Sequence, residues 1–289
     1  SNVALGGNSL QNNTIGDNNT AVGTSALSSN TIGVSNVAVG TSALGGNTTG
    51  AFNTAVGAAA LVSNSIGCSN TAVGKCALKD NTTGNNNVAV GRDSIATNTV
   101  GSNNTALGDF TLVYNTASNN TAVGFCALRN NTTGDYNTAI GRTSMQNNTT
   151  GTRNTAVGYS SLKCNTIGQY NTALGARTLL LNTTGAGNTA VGYRSMESNL
   201  VGINNTAVGR YALITNTASN NTAVGSSALR CNTTGTPNLA IGNSALYSNT
   251  TGVDNVAIGI NALRNNTGGN YNTIVGRSAG YSNTSGIYN

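Results

Sequence analysis

Histidine and tryptophan are absent from this chain, proline occurs once, and only 7% of its residues are charged. Without histidine the commonest general base at neutral pH is missing. The seven acids, Asp17, Asp80, Asp93, Asp109, Asp135, Glu197 and Asp254, are scattered with no nucleophile or second acid at a recurring distance. The chain is therefore expected to be no enzyme and to need no cofactor or metal. Phe, Tyr and Trp together make up 4% of its 289 residues, which excludes an ordinary core of large side chains. No apolar run approaches the length of a membrane-spanning helix, so no membrane insertion is expected of this segment. A polar, weakly charged composition also suits a disordered chain, but disorder requires no register, and this sequence has a strict one.

What is abundant is Asn, Thr, Gly, Ala and Ser, in a string that recurs from end to end. Aligned on Asn-Thr-Ala-Val-Gly, the chain divides into 17 units, 15 of 17 residues and two of 16. In slot numbering each unit reads N-T-A-V-G-x-x-A-L-x-x-N-T-T-G-x-x. Asn fills slots 1 and 12 and Gly fills slot 5 in every unit, and Gly fills slot 15 in all but the two short ones. A fixed period of this size without helix-length segments marks a solenoid, and paired glycines with repeated Asn-Thr exclude a helix. The fold class expected is all-β, a parallel β-solenoid of about 17 coils, forming one continuous domain over residues 1–289. Parallel stacking at about 4.8 Å per coil would give a rod of roughly 80 Å.

Two short strands are expected per coil, one on T-A-V and one around x-A-L, joined by turns in which Gly supplies positive φ. Gly23, Gly40 and Gly57 are such turn glycines. Because neighbouring strand residues point to opposite faces, slots 3 and 4 divide between two surfaces. The larger aliphatics of slot 4 are expected inside. The alanines of slot 3, such as Ala21, Ala38 and Ala55, are then expected to form a smooth outer face suited to packing against another copy. A single-chain solenoid with a cramped interior on both sides is the alternative.

Stacked asparagine amides can hydrogen-bond up and down the coils. Asn19, Asn36 and Asn53 in slot 1, with Asn30, Asn47 and Asn64 in slot 12, are read as such a ladder. Many Asn-Thr-Thr triplets are also formal N-glycosylation acceptors. Sister units lose the acceptor at Ile32, Ile66, Val100 and Ile167 while keeping the Asn, which favours the ladder. Asn18 and Asn103 are the candidate sugar-bearing copies.

Net charge is +6, and nearly all of the Lys and Arg lie in slots 6, 7 and 10. Stacking would gather them into a sparse basic stripe that includes Arg142, Arg177, Arg194 and Arg210. One reading is a surface for anionic glycans, lipopolysaccharide or nucleic acid; the other is charge that keeps a repeat soluble and discourages edge pairing. No specific nucleic-acid motif is present. Tyr159, Tyr193, Tyr211 and Tyr247 fall in neighbouring slots. Cys68, Cys76, Cys126, Cys164 and Cys231 have no metal spacing, and only Cys68 and Cys76 are near enough for a bridge within the chain.

The Asn-Thr-Ala-Val-Gly strand with Gly-marked turns resembles the YadA-like head repeats of trimeric autotransporter adhesins. The longer unit is similar to repeats in bacterial surface proteins and phage-type fibres. The resemblance covers the whole chain and implies a left-handed β-roll assembled from three chains, outside the cell or on its surface, attaching to matrix or other cells. Self-association as a homotrimer or a head-to-tail fibre, and matrix or anionic glycans as ligands, are the partners expected. Since the chain starts one residue before a unit and stops on the first residue of another, a segment of a longer protein or a fibre subunit is expected. An ice-binding solenoid is a third reading, from the Thr columns of slots 2 and 13. It is weakened where slot 2 holds Val3, Val37, Val88 or Leu239.

Overall fold

A computed structural model describes all residues 1–289. The protein is an all-β solenoid, with 17 short strands and no helix. The chain divides into two compact units, Ser1–Thr143 with Asn147–Thr150, and Ser144–Gln146 with Gly151–Asn289. Repeat arrays make contacts mainly between neighbouring repeats, so compactness in such a chain is a local property.

The first unit holds nine strands, from β1 (Val3–Leu5) and β2 (Thr20–Val22) through β3 (Val37–Val39) and β4 (Thr54–Val56) to β9 (Thr138–Ile140). The second holds eight, from β10 (Thr155–Val157) to β17 (Thr273–Val275). Within each unit every strand pairs in parallel with the next, like slot on like slot. Ala21 opposes Ala38, and Ala38 opposes Ala55; in the second unit Ala156 opposes Ala173 and Ala190 opposes Ala207.

Only one strand forms per coil. The second strand expected around x-A-L is replaced by a run of turns over slots 6 to 11, Thr24 to Ser29 in the second coil. The cause is backbone handedness. Slots 7 and 9 both adopt positive φ, 56° and 51° at Ser42 and Leu44 and 56° and 52° at Ala59 and Leu61. This left-handed region is one that L-residues other than Gly and Asn seldom enter. Alternating handedness does not break the stack. The Leu44 amide donates to the Ala60 carbonyl at 3.0 Å in the coil after it, and the Ser42 amide to the Thr24 carbonyl at 2.9 Å in the coil before.

The same handedness lets two adjacent side chains turn inward. Ala43 and Leu44, Ala60 and Leu61, and Ala77 and Leu78 are all fully buried. Burying a leucine side chain is worth about 1.5–3 kcal/mol, of the same order as the roughly 1–2 kcal/mol that each left-handed residue costs.

The faces of the T-A-V strand are the reverse of those expected. Ala21, Ala38 and Ala55 are wholly buried, while Val39 and Val56 are each 37% exposed. The alanines therefore form no association face. The interior of every coil but the last already contains a leucine, isoleucine or methionine beside two asparagines, so the strand can contribute only a methyl. The branched side chain is sent outward.

Candidate functional site

The two glycine slots serve different ends. Gly23, Gly40 and Gly57 lie at φ 131°, 132° and 131°, and a Cβ on Gly40 would stand 2.7 Å from the Gly57 carbonyl carbon. Slot 15 glycines such as Gly33 have no positive φ; there a Cβ would meet the next coil's Gly50 carbonyl oxygen at 2.5 Å. Close stacking, not turn geometry, requires glycine at that slot.

That carbonyl is where the two asparagine columns meet. The Asn36 Nδ2 donates to the Gly50 carbonyl at 2.8 Å and to Asn19 Oδ1 at 3.2 Å, and the Asn36 amide donates to the same Oδ1 at 3.0 Å. From the other side, Asn47 Nδ2 donates to the Gly50 carbonyl at 2.9 Å and to Asn30 Oδ1 at 2.8 Å. Asn53 and Asn64 repeat the arrangement on Gly67, and Asn53 continues the first column onto Asn36. All of these side chains from Asn30 to Asn64 are fully buried. The short coils keep the device by substitution: Ala117 accepts from Asn104 and Asn115, each at 2.8 Å. Two columns thus cross-link each coil and tie it to its neighbours, so these asparagines carry structure and are closed to modification. Asn18 and Asn103 stand exposed outside the columns.

Slot 13 threonines are also engaged. Thr31 Oγ1 donates to the Thr48 carbonyl at 3.0 Å, and Thr48 Oγ1 to the Ser65 carbonyl at 3.0 Å. Each hydroxyl thus spends its donor on a backbone carbonyl of the next coil.

Two surfaces remain open for recognition. The first is the outer face of the strand ladder, where slots 2 and 4 point outward together. It presents Thr54 beside Val56 and Thr71 beside Val73 in the first unit, with Val73 36% exposed. In the second unit Leu174, Val208, Val224 and Ile241 occupy the same column at 36–38% exposure. This apolar column was missed because slot size was read without counting what else the interior holds. The signal was present: slot 3 is Ala in all units but one, whereas slot 4 accepts Val, Leu or Ile. A cramped interior restricts size, and an open face does not.

The second surface is the cationic edge formed by slots 6, 7 and 10. Arg92 lies 4.5 Å over the Phe110 ring, with Arg129 also against it at 5.6 Å. In the second unit Arg194 and Arg210 flank the Tyr211 ring at 5.6 and 4.6 Å. Arg177 and Arg194 converge on the carboxylate of Glu197, at 2.7 and 2.5 Å, and that acid is nearly buried. The hydrogen bond that Arg194 donates to the Glu197 carboxylate raises the Arg194 pKa above its ordinary value. Arg142 sits in the first unit, with its guanidinium 5.9 Å over the Phe125 ring. The expected stripe is thus divided between the units. The role of Glu197 was illegible in sequence, because one acid among variable slots carries no periodic mark.

All five cysteines are free, Cys126 buried and the others partly exposed. No helix is long and apolar enough to cross a membrane. No protein-family profile matches the chain, and no curated protein does.

Proposed function

We propose that this protein is a non-enzymatic structural module of an extracellular or cell-surface fibre, which associates laterally with copies of itself, as a homotrimer, and serves attachment. The observation that carries the reading is the outward column of slots 2 and 4. A sheet face bearing Val39, Val56, Val73 and Val90 at 36–37% exposure is a contiguous apolar strip, and such strips mark association surfaces. Its period selects the partner. A surface that repeats once per coil is matched in every row only by a surface of equal repeat, and a second copy of the chain has that repeat by construction. Three chains and an extracellular setting are taken from the resemblance of the unit to adhesin-head repeats.

The test is the mass of the native particle, measured by native mass spectrometry and analytical ultracentrifugation on the 289-residue chain. Three chains per particle are expected. Replacing Val56→Lys and Val90→Lys together should yield a monomer with an unchanged far-ultraviolet spectrum, since both side chains already reach solvent. A wild-type monomer at micromolar concentration would overturn the reading. Polymers of uniform width under negative stain would replace it with a head-to-tail filament.

A further inference from the structure

Charge is divided unevenly between the two units. The first contains five Lys or Arg and five Asp, whereas the second contains eight Lys or Arg against two acids. The whole net charge of +6 therefore belongs to the second unit. The difference lies in what the cations have for partners. In the first unit acids occupy the same edge: Arg92 is 3.9 Å from Asp109, and Lys79 is 4.0 Å from Asp80.

In the second unit the arginines of this edge lie against tyrosine rings. Arg210 lies 4.6 Å over Tyr211, Arg230 lies between Tyr211 and Tyr247 at 5.5 and 5.4 Å, and Arg264 lies 4.8 Å over Tyr247. Arg230 also donates to the Tyr247 hydroxyl, and Arg264 to the Tyr281 hydroxyl at 3.3 Å. Stacking on a ring immobilises a guanidinium without neutralising it. Arg210, Arg230 and Arg264 have no carboxylate partner, and their charge is left to whatever approaches. At the head of the row, Glu197 is shared by Arg177 and Arg194, so one buried acid orients two cations and cancels one. Beside them a shallow cavity of about 200 Å³ is lined by Tyr159, Ser160, Lys163, Arg177 and Leu180.

We infer that this arginine–tyrosine row of the second unit is a binding site for a linear acidic polysaccharide of the sulfated or uronate-bearing class. Coils rise by about 4.8 Å each; Arg210 and Arg230 stand in adjacent coils and Arg264 two coils further on, with Tyr247 in the coil between, so the row spaces its fixed cations at roughly one and two sugar-length steps. Planar guanidiniums match sulfate and carboxylate oxygens bidentately, and the cavity at Lys163 and Arg177 is of a size to receive a single ring. Nucleic acid fits less well. Single strands are held by stacking bases on free aromatic faces, and the faces of Tyr211 and Tyr247 are already covered by arginine. The inference gives a ligand to the attachment part of the proposed function. It rests on no contact between copies, because every residue named belongs to one chain.

The test uses the full chain on immobilised heparin, with a size-matched poly-dT strand as competitor, at about 0.15 M salt. Wild type is expected to be retained, with affinity falling steeply as salt rises, as charge-driven binding to a polyanion does. The triple variant Arg210→Gln, Arg230→Gln and Arg264→Gln should lose at least tenfold in affinity. The matched first-unit variant Lys75→Gln, Arg92→Gln and Arg142→Gln should stay within twofold. The lysine variant Arg210→Lys, Arg230→Lys and Arg264→Lys, which keeps the charge but not the planar fork, should fall between. The Val56→Lys, Val90→Lys protein should still bind, so failure of self-association and failure of this site are separable. No retention of wild type, equal loss from both triple variants, or stronger competition by poly-dT than by free heparin would each overturn the inference.

Discussion

At the scale of single residues, this fold depends on atoms that are missing and amides that are not. The Gly50 carbonyl is reached by Asn36 and Asn47 only because no Cβ stands between successive coils. Removing one amide leaves groups with no water to replace it. Asn47→Ala would strip the Asn30 Oδ1 and the Gly50 carbonyl of a donor, and Asn64 Nδ2 of an acceptor. Each buried polar group left unsatisfied costs about 1–3 kcal/mol, so a loss of at least about 2 kcal/mol is expected from urea denaturation. Thr49→Ala, two residues away and exposed, should change stability by less than about 0.5 kcal/mol. Both substitutions destroy the same Asn-Thr-Thr triplet. If they proved equally costly, the asparagine columns would not be what holds the coils.

At the scale of the element, the turn run of slots 6 to 11 makes a prediction that an extended strand would not. Leu61 is fully buried and has φ of 52°. Leu61→Ala creates a cavity costing about 2–5 kcal/mol. In a strand, Leu61→Gly would be worse again by the backbone freedom glycine gives to the unfolded chain. Here glycine relieves a left-handed strain of roughly 1–2 kcal/mol, and the glycine variant is expected to be no less stable than the alanine variant. A glycine variant clearly less stable in matched urea titrations would argue for the extended strand.

This element also marks where the sequence stopped being legible. The period, the stacking of like on like and the asparagine columns follow from slot occupancy alone, because invariant Asn and Gly have few physical reasons to recur. The path through Ala43 and Leu44 does not. Alternation assigns adjacent residues to opposite faces only when the backbone is extended, and nothing in Ser-Ala-Leu announces left-handed φ at Ser42 and Leu44. The inversion at Ala38 and Val39 was recoverable from volume. An interior already holding Leu44, Asn36 and Asn47 has no room for a valine, and a count of side-chain size per coil would have sent Val39 outward. The sharing of Glu197 by two arginines needed three dimensions.

At the scale of the whole molecule, a chain in which each coil bonds to the coils before and after it should respond to damage locally. Stability in such arrays is approximately a sum of repeat and neighbour terms, and opening occurs in contiguous pieces. Gly67→Val supplies a severe local lesion. Its side chain would be forced into the Gly84 carbonyl and against Asn64 and Asn81, disrupting the two coils that these residues tie together. Amide hydrogen exchange read by mass spectrometry is then expected to quicken between about residues 53 and 86. The ladders of the second unit, such as the Thr172–Asn188 and Thr189–Asn205 bonds, should keep wild-type protection. The arginine–tyrosine row should in turn keep its heparin affinity, although the chain has been broken far away along its length. If protection instead fell across all coils together, the molecule would unfold as one cooperative body, and the asparagine columns would have to transmit strain across many repeats. Nearest-neighbour bonds of the kind seen at Asn36 and Asn47 offer no means of doing that.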